Sequence, residues 1–144
     1  MKFRISLFLL TLVLAASSTL TAHASDCSNM TIKGTWANSI HGKLFLPDGS
    51  TLLIDGIVKT KYDGEGNFTQ VDAVADNGNI APGWRPGAGT YTVNPDCTGT
   101  STLVIPGMPD LHVQFIVSPS GNTSHFVVVD PGFATAGDSE RVSK

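Results

Sequence analysis

Three histidines outside the N-terminal segment are the first candidates for chemistry, because a zinc or iron site needs at least two of them near a carboxylate. They are His41, His112 and His125. A turn at residues 118–122 would pair Phe115 with His125 in a hairpin. Alternation along the strands then sends His112 and His125 to opposite faces of the sheet. Since His41 falls in a predicted turn, the sequence predicts no metal site.

Nucleophilic and cofactor-binding motifs are also missing from the sequence. It contains no G-x-S-x-G, the signature of a nucleophilic serine at a strand-to-helix turn. Gly87-Ala88-Gly89 is followed by a strand pattern, whereas a dinucleotide loop would open a helix. The segment DGEGN at residues 63–67 lacks the spacing and terminal glutamate of an EF-hand, which favours a plain turn. We therefore expect no cofactor.

Aromatic residues at strand positions could surround an apolar cavity and bind a substrate there. The substrate-binding candidates are Trp36, Tyr62, Trp84, Tyr91 and Phe115. Polar side chains that could act on such a substrate are the catalytic candidates Asp72, Arg85 and His112.

The orientation of Asp72 decides whether it can do chemistry. The turn at residues 63–67 pairs Val58 with Asp72 and Tyr62 with Phe68, so Tyr62, Phe68 and Asp72 share one sheet face. Facing inward, a desolvated Asp72 would have a raised pKa that suits proton transfer. Facing outward, it is an ordinary solvated residue. The sequence favours the outward orientation.

Residues 76–89, DNGNIAPGWRPGAG, form the longest stretch without strand periodicity. Its four glycines and two prolines predict an irregular loop, with Trp84 and Arg85 in the middle. Long loops in small domains are often lids or binding loops. Trp84 could equally plug the end of a core, and the sequence leaves both interpretations open.

Period-two alternation runs through the rest of the chain and predicts the fold. The predicted strands are residues 31–39, 43–46, 51–62, 68–75, 90–94, 100–105, 111–117 and 123–129, with turns rich in Gly, Pro, Asn and Asp between them. The tail at residues 130–144 is expected to hold at most a short helical turn. We predict an all-β fold, an antiparallel meander forming a closed or nearly closed barrel of about eight strands, wide enough for one small ligand. An open barrel would expose strand edges and favour a homodimer.

Residues 1–24 have the pattern of a secretory signal peptide, which leaves residues 25–144 as a single β-barrel domain. Lys2 and Arg4 precede an apolar run that is too short to span a bilayer, and Ala22-His23-Ala24 resembles a cleavage site. Removing these two cations leaves seven basic residues against twelve acidic ones, a net charge of about −5. Without a basic patch, nucleic acid is not an expected partner. We expect no membrane attachment after cleavage.

The two cysteines, Cys27 and Cys97, are predicted to form a disulfide in an oxidising compartment. No Cys-x-x-Cys or Cys/His arrangement supports a reactive thiol. Three N-glycosylation sequons begin at Asn29, Asn67 and Asn122, which suggests a eukaryotic secretory route. We expect the protein to be secreted or to reside in the secretory lumen, or, if bacterial, in the periplasm or outside the cell.

Three segments resemble a broad group of small secreted bacterial and fungal proteins: Gly34-Thr35-Trp36, the turn at residues 63–67, and residues 89–100, GTYTVNPDCTGT. These proteins look like barrels of the allene oxide cyclase or calycin type. The fungal branch is similar to hetero-Diels–Alderases of tropolone–sesquiterpene meroterpenoid pathways. The resemblance covers mainly residues 27–105 and is carried by structural turns, so it transfers no catalytic residue.

The resemblance implies a cofactor-free cyclase acting on an apolar secondary-metabolite intermediate, such as a quinone methide with a polyene or terpene. Such an enzyme needs a dry cavity that orients the reactants and a few hydrogen-bond donors. The alternative is a lipocalin-like secreted protein that binds an apolar small molecule without turnover. A surface or matrix component without a cavity is the third hypothesis.

Overall fold

The computed structural model describes residues 26–144, so the predicted signal peptide lies outside the described residues. One 3-10 turn, Asn29–Ile32, precedes nine strands. They are β1 Gly34–Phe45, β2 Thr51–Tyr62, β3 Asn67–Asp76, β4 Asn79–Ile80, β5 Arg85–Val93, β6 Thr98–Val104, β7 Leu111–Val117, β8 Thr123–Val128 and β9 Phe133–Ser143.

Eight of these strands form a closed antiparallel barrel, as the sequence predicts. Each strand pairs with the next one along the chain, except that β3 pairs with β5 and the two-residue β4 is added beside the end of β3. The ring closes where β9 pairs with β1, from Leu44 opposite Phe133 to Thr35 opposite Ser143. Closure pairs both edges of every long strand, so the long open edges that would favour a homodimer are absent from residues 26–144, although the two-residue β4 keeps one unpaired edge.

Strand β1 is continuous, and the predicted break at His41-Gly42 is wrong. Gly42 lies within the strand at a φ of 149°. A Cβ atom at this position would clash with the backbone of Ala134 and Thr135 on β9. Gly42 therefore permits the close approach of β1 and β9, and does not form a turn.

The tail is strand β9 and closes the barrel, so the predicted helical turn is wrong. Gly137 argues for irregular structure in the sequence, but it lies in the strand opposite Phe126 of β8, where a Cβ would clash with the phenyl ring. The same arrangement occurs twice more, with Gly89 opposite Phe68 and Gly99 opposite Phe115. These glycines make room for aromatic rings that lie against the neighbouring strand.

The predicted irregular loop at residues 76–89 is largely regular. Asn77 and Gly78, with φ values of 51° and 80°, make a tight turn between β3 and β4. Strand β5 begins at Arg85, which leaves residues 81–84 as the irregular connection.

The hydrophobic core fills one end of the barrel, where the predicted disulfide between Cys27 and Cys97 is present. The indole nitrogen of Trp36 donates a hydrogen bond to the Ile32 carbonyl at 2.8 Å, which holds the 3-10 turn over this end. The guanidinium of Arg141 lies 5.3 Å from the centre of the Trp36 ring and donates to the carbonyl oxygen of Thr31. We call this the disulfide end, and the opposite end the open end.

Candidate functional site

A cavity of about 200 Å³ occupies the barrel interior between the core and the open end. Inward-facing residues of all eight barrel strands line it. Its lining extends to Asp76 and Met108, both exposed, so the cavity reaches solvent at the open end.

The cavity wall has three levels. Aromatic side chains form the floor next to the core: Tyr62, Phe68, Phe115 and Phe126. A middle level carries the polar side chains Asn38, Thr60, Gln70, Asp72 and Ser101, while Ser124 and Ser139 lie at the floor, beside the core residue Val117. Aliphatic side chains, including Leu44, Leu52, Ile54, Leu103, Ile105 and Leu111, dominate the mouth. An interior of this kind suits an apolar ligand with a few polar atoms.

Asp72 and Arg85 form an ion pair on the cavity wall. They are directly opposite each other on β3 and β5, and the Nε of Arg85 lies 2.9 Å from the Oδ1 of Asp72. The Nε2 of Gln70 donates to Oδ2 at 3.3 Å. Asp72 is only 2% exposed, and each of its carboxylate oxygens has a hydrogen-bond partner, as expected for a buried charged group.

The favoured outward orientation of Asp72 is therefore wrong. The turn-derived pairing is confirmed, with Val58 opposite Asp72 and Tyr62 opposite Phe68. The alternation that places Phe68 against the core must also place Asp72 inside, and the error lies in the choice of face.

Arg85 also reaches across the mouth. Its Nη1 lies 3.2 Å from the sulfur of Met108 in the connection between β6 and β7. The Arg85 side chain is 40% exposed, so the guanidinium lies between the cavity and solvent. It can contact a ligand that enters from the open end.

Of the polar middle level, only Asp72 is among the site residues that the sequence predicts. Asn38 donates to the hydroxyl of Thr60 at 2.9 Å and to the Val58 carbonyl at 3.1 Å. The hydroxyls of Ser101, Ser124 and Ser139 make no hydrogen bond within residues 26–144 and line the cavity. Strand alternation places these serines on one face of the sheet, but it does not indicate whether that face is the interior of the barrel.

Several predicted site residues lie elsewhere. Tyr62 and Phe115 line the cavity, whereas Trp36 and Tyr91 are buried in the core beneath its floor. Trp84 is 57% exposed outside the cavity, so it is neither a plug nor a cover over the mouth in this structure.

His112 also lies away from the cavity, on the outer face of β7. Its Nδ1 is 2.8 Å from Oδ1 of Asp130, and its backbone N–H donates to Oδ2 at 2.6 Å. The backbone hydrogen bond is the main reason why the pKa of Asp130 is lowered. Of the three catalytic candidates, the structure thus places Asp72 and Arg85 in contact on the cavity wall and His112 on the outer face.

The predicted separation of His112 and His125 on opposite faces is wrong. The turn between β7 and β8 is one residue longer than predicted, so Ile116 and not Phe115 lies opposite His125. Both histidines are exposed on the outer face, and His125 has a separate partner, Asp138, at 2.6 Å. No cluster of three or more His, Cys, Asp or Glu side chains suited to a metal ion occurs among the described residues.

Asp63 stabilises the turn at residues 63–67, in which it lies. Asp63 accepts hydrogen bonds from the side chain and backbone of Asn67 and from the backbone of Glu65. These bonds, chiefly the one from the Asn67 side chain, lower the pKa of Asp63 to about 2.

The three sequon asparagines differ in their surroundings. Asn67 is engaged with Asp63, and Asn29 is half-buried, with its side-chain oxygen accepting from the Val93 N–H at 2.8 Å. Asn122 is exposed in the turn between β7 and β8.

No family model matches the chain, and no curated protein or solved structure shows significant similarity to it. Within residues 26–144, no helix is both long enough and apolar enough to cross a bilayer. The disulfide is compatible with an oxidising, secretory location.

Proposed function

We propose that this protein binds a small, largely apolar molecule inside the barrel. The observation that carries the proposal is the cavity of about 200 Å³, open at one end and lined mainly by aliphatic and aromatic side chains. Apolar cavities of about 150 Å³ bind benzene, so this one has room for a substituted single ring. The volume favours one small ligand over two enclosed reactants.

The cavity hypothesis is tested by filling the cavity from a neighbouring pair of positions. Val58 lines the cavity, whereas the adjacent Ile57 points outward and is exposed. Val58→Phe should weaken binding of 4-propylphenol at least tenfold in isothermal titration calorimetry, because the added ring occupies the ligand's volume. Ile57→Phe is the control and should leave the affinity unchanged. Equal affinities for both variants and the wild type would place the ligand outside the barrel.

Cofactor-free cyclisation is the second candidate function. It is supported by the buried carboxylate of Asp72 on the cavity wall, beside the partly exposed Arg85. Together they could polarise a carbonyl or transfer a proton to a bound intermediate.

Catalysis is tested with an o-quinone methide generated in situ beside a terpene alkene. The wild type should raise the rate of cycloadduct formation at least tenfold, and Asp72→Asn should remove most of that gain. Asp55→Asn, at an exposed position on β2, is the matched control. A rate and product ratio equal to those in buffer would exclude this chemistry while leaving the binding function intact.

We also propose that the protein is exported, with cleavage after Ala24 and N-glycans on accessible sequons, Asn122 first because it is exposed. Intact mass spectrometry of protein secreted from a eukaryotic host should show an N-terminus at Ser25, no free thiol and a shift on glycosidase treatment. Retention of residues 1–24 would contradict the export proposal.

A further inference from the structure

A second, much smaller void adjoins the floor of the cavity. Its volume is about 10 Å³, close to the space that one water molecule needs. Its lining residues are Ile32, Trp36, Tyr62, Phe115, Val117, Ser124 and Ser139. Four of them also line the main cavity: Tyr62, Phe115, Ser124 and Ser139. We call this void the floor niche.

Three hydroxyl-bearing residues of the floor niche have no hydrogen-bond partner for their side chains. Ser124 and Ser139 are directly opposite each other on β8 and β9, and neither hydroxyl is bonded within residues 26–144. Tyr62 makes ring contacts with Trp36, Phe68 and Tyr91, and its hydroxyl likewise lacks a partner in that part of the chain. None of the three hydroxyl oxygens is among the fully enclosed atoms without a partner, so each is accessible from the void and can bond an oxygen atom supplied from outside the chain.

The chemistry of the floor niche selects a neutral oxygen. No charged side chain lines it, and a carboxylate placed there would lose its hydration without a cation in compensation. Burial raises the pKa of the Tyr62 phenol well above its ordinary value, so the phenol stays protonated and able to donate. The serine hydroxyls can donate or accept, which suits both a hydroxyl and a carbonyl group.

We propose that Tyr62, Ser124 and Ser139 form a binding site for the hydroxyl or carbonyl oxygen of the ligand. The ligand class is then a neutral, oxygenated aromatic or terpenoid of about ten heavy atoms that enters with its oxygen first. Its oxygen lies in the floor niche, and its apolar body fills the cavity towards the mouth. This inference rests on the proposed binding function.

The test compares 4-propylphenol with 4-propyltoluene, in which a methyl group replaces the hydroxyl. Isothermal titration calorimetry of the wild type should show the phenol binding at least tenfold more tightly. Tyr62→Phe and Ser139→Ala should each remove most of this preference, because they delete a hydroxyl of the floor niche and keep the packing. Ser101→Ala is the matched control, since Ser101 lines the main cavity but not the floor niche.

The outcomes separate this inference from the function on which it rests. Equal affinities of the wild type for both probes would overturn the floor niche and leave the binding function standing. The floor niche is likewise overturned if Ser101→Ala reduces the preference as strongly as Ser139→Ala does. Failure of both probes to bind would overturn the binding function itself. Circular dichroism of each variant verifies that the barrel is folded in the compared samples.

Discussion

The disulfide end and the open end of the barrel are made by the same eight strands, yet one is solid and the other hollow. At the disulfide end, the rings of Phe68, Phe115 and Phe126 lie over glycines of neighbouring strands and join a core around Trp36. At the open end, the inward residues are mostly Leu, Ile and Val, whose shorter side chains leave the barrel axis unfilled. An eight-stranded barrel is close to the width at which side-chain size decides between these outcomes.

This difference assigns stability to one end and ligand binding to the other. The disulfide and the 3-10 turn are both at the solid end. Met108 lines the mouth and is exposed. Substitutions at the solid end should therefore change the free energy of unfolding, and those at the hollow end should change affinity.

The two tryptophans give the largest expected contrast between the ends. Trp36 is 1% exposed and Trp84 is 57% exposed. Trp36→Ala should lower the free energy of unfolding by about 5 kcal/mol, the upper range for a buried aromatic residue, because the hydrogen bond to Ile32 is also lost. Trp84→Ala should change it by no more than about 0.5 kcal/mol. Urea unfolding measures both, and a comparable loss for Trp84→Ala would mean that this residue is a structural plug.

Removing the disulfide should have the next largest effect. Cys27 and Cys97 are separated by 70 residues, and the loop-entropy relation gives about 4 kcal/mol for a closure of that length. The double substitution to alanine should lower the urea midpoint accordingly. Since neither cysteine lines the cavity, affinity for 4-propylphenol should be kept at temperatures where the variant is folded. Loss of affinity in a folded variant would show that the two ends are coupled.

Glycine-to-alanine substitutions should separate the ends more finely. At Gly137, a Cβ would clash with the backbone of Ser39 and the ring of Phe126, so Gly137→Ala should cost about 2–3 kcal/mol. At Gly87, the nearest atom is the mobile end of Leu103 at 3.0 Å, and the main cavity offers it space. A Cβ there would also lie 3.2 Å from Cγ of Gln70, so Gly87→Ala should cost about 1 kcal/mol, less than Gly137→Ala. Equal costs would mean that the open end is packed as tightly as the disulfide end.

Acid should produce the smallest effect, at the turn of residues 63–67. The pKa of Asp63 falls from 3.8 to about 2 on folding, so its carboxylate stabilises the fold above pH 3.8 and this contribution disappears as the pH falls through 2. Asp63→Asn should flatten the dependence of stability on pH between 4 and 2. Asp55→Asn, on an exposed strand position, is the control. Unchanged pH dependence in Asp63→Asn would contradict the hydrogen-bonded turn.

Local pattern was enough to predict most of the strands, the pairing of β2 with β3 and the disulfide. Strands β2 and β7 have the predicted bounds, and the turn at residues 63–67 sets Tyr62 opposite Phe68 as expected. These features depend on alternation and on turn residues that are close together in sequence. The turn before β8 shows the limit of local pattern. One residue more than predicted shifts the register, so that Ile116 and not Phe115 lies opposite His125.

Local pattern could not predict which face of the sheet lines the interior of the barrel, and therefore could not predict the site. Asp72 points inward because closure of the whole ring, by pairing β9 with β1, curves the face that carries Tyr62 and Phe68 around the core. The tail of the chain looks irregular because nothing in its local sequence shows that the ring of Phe126 covers Gly137. A few adjacent residues determine how neighbouring segments pair, whereas the inner and outer faces of the sheet are defined only once the first and last strands have paired.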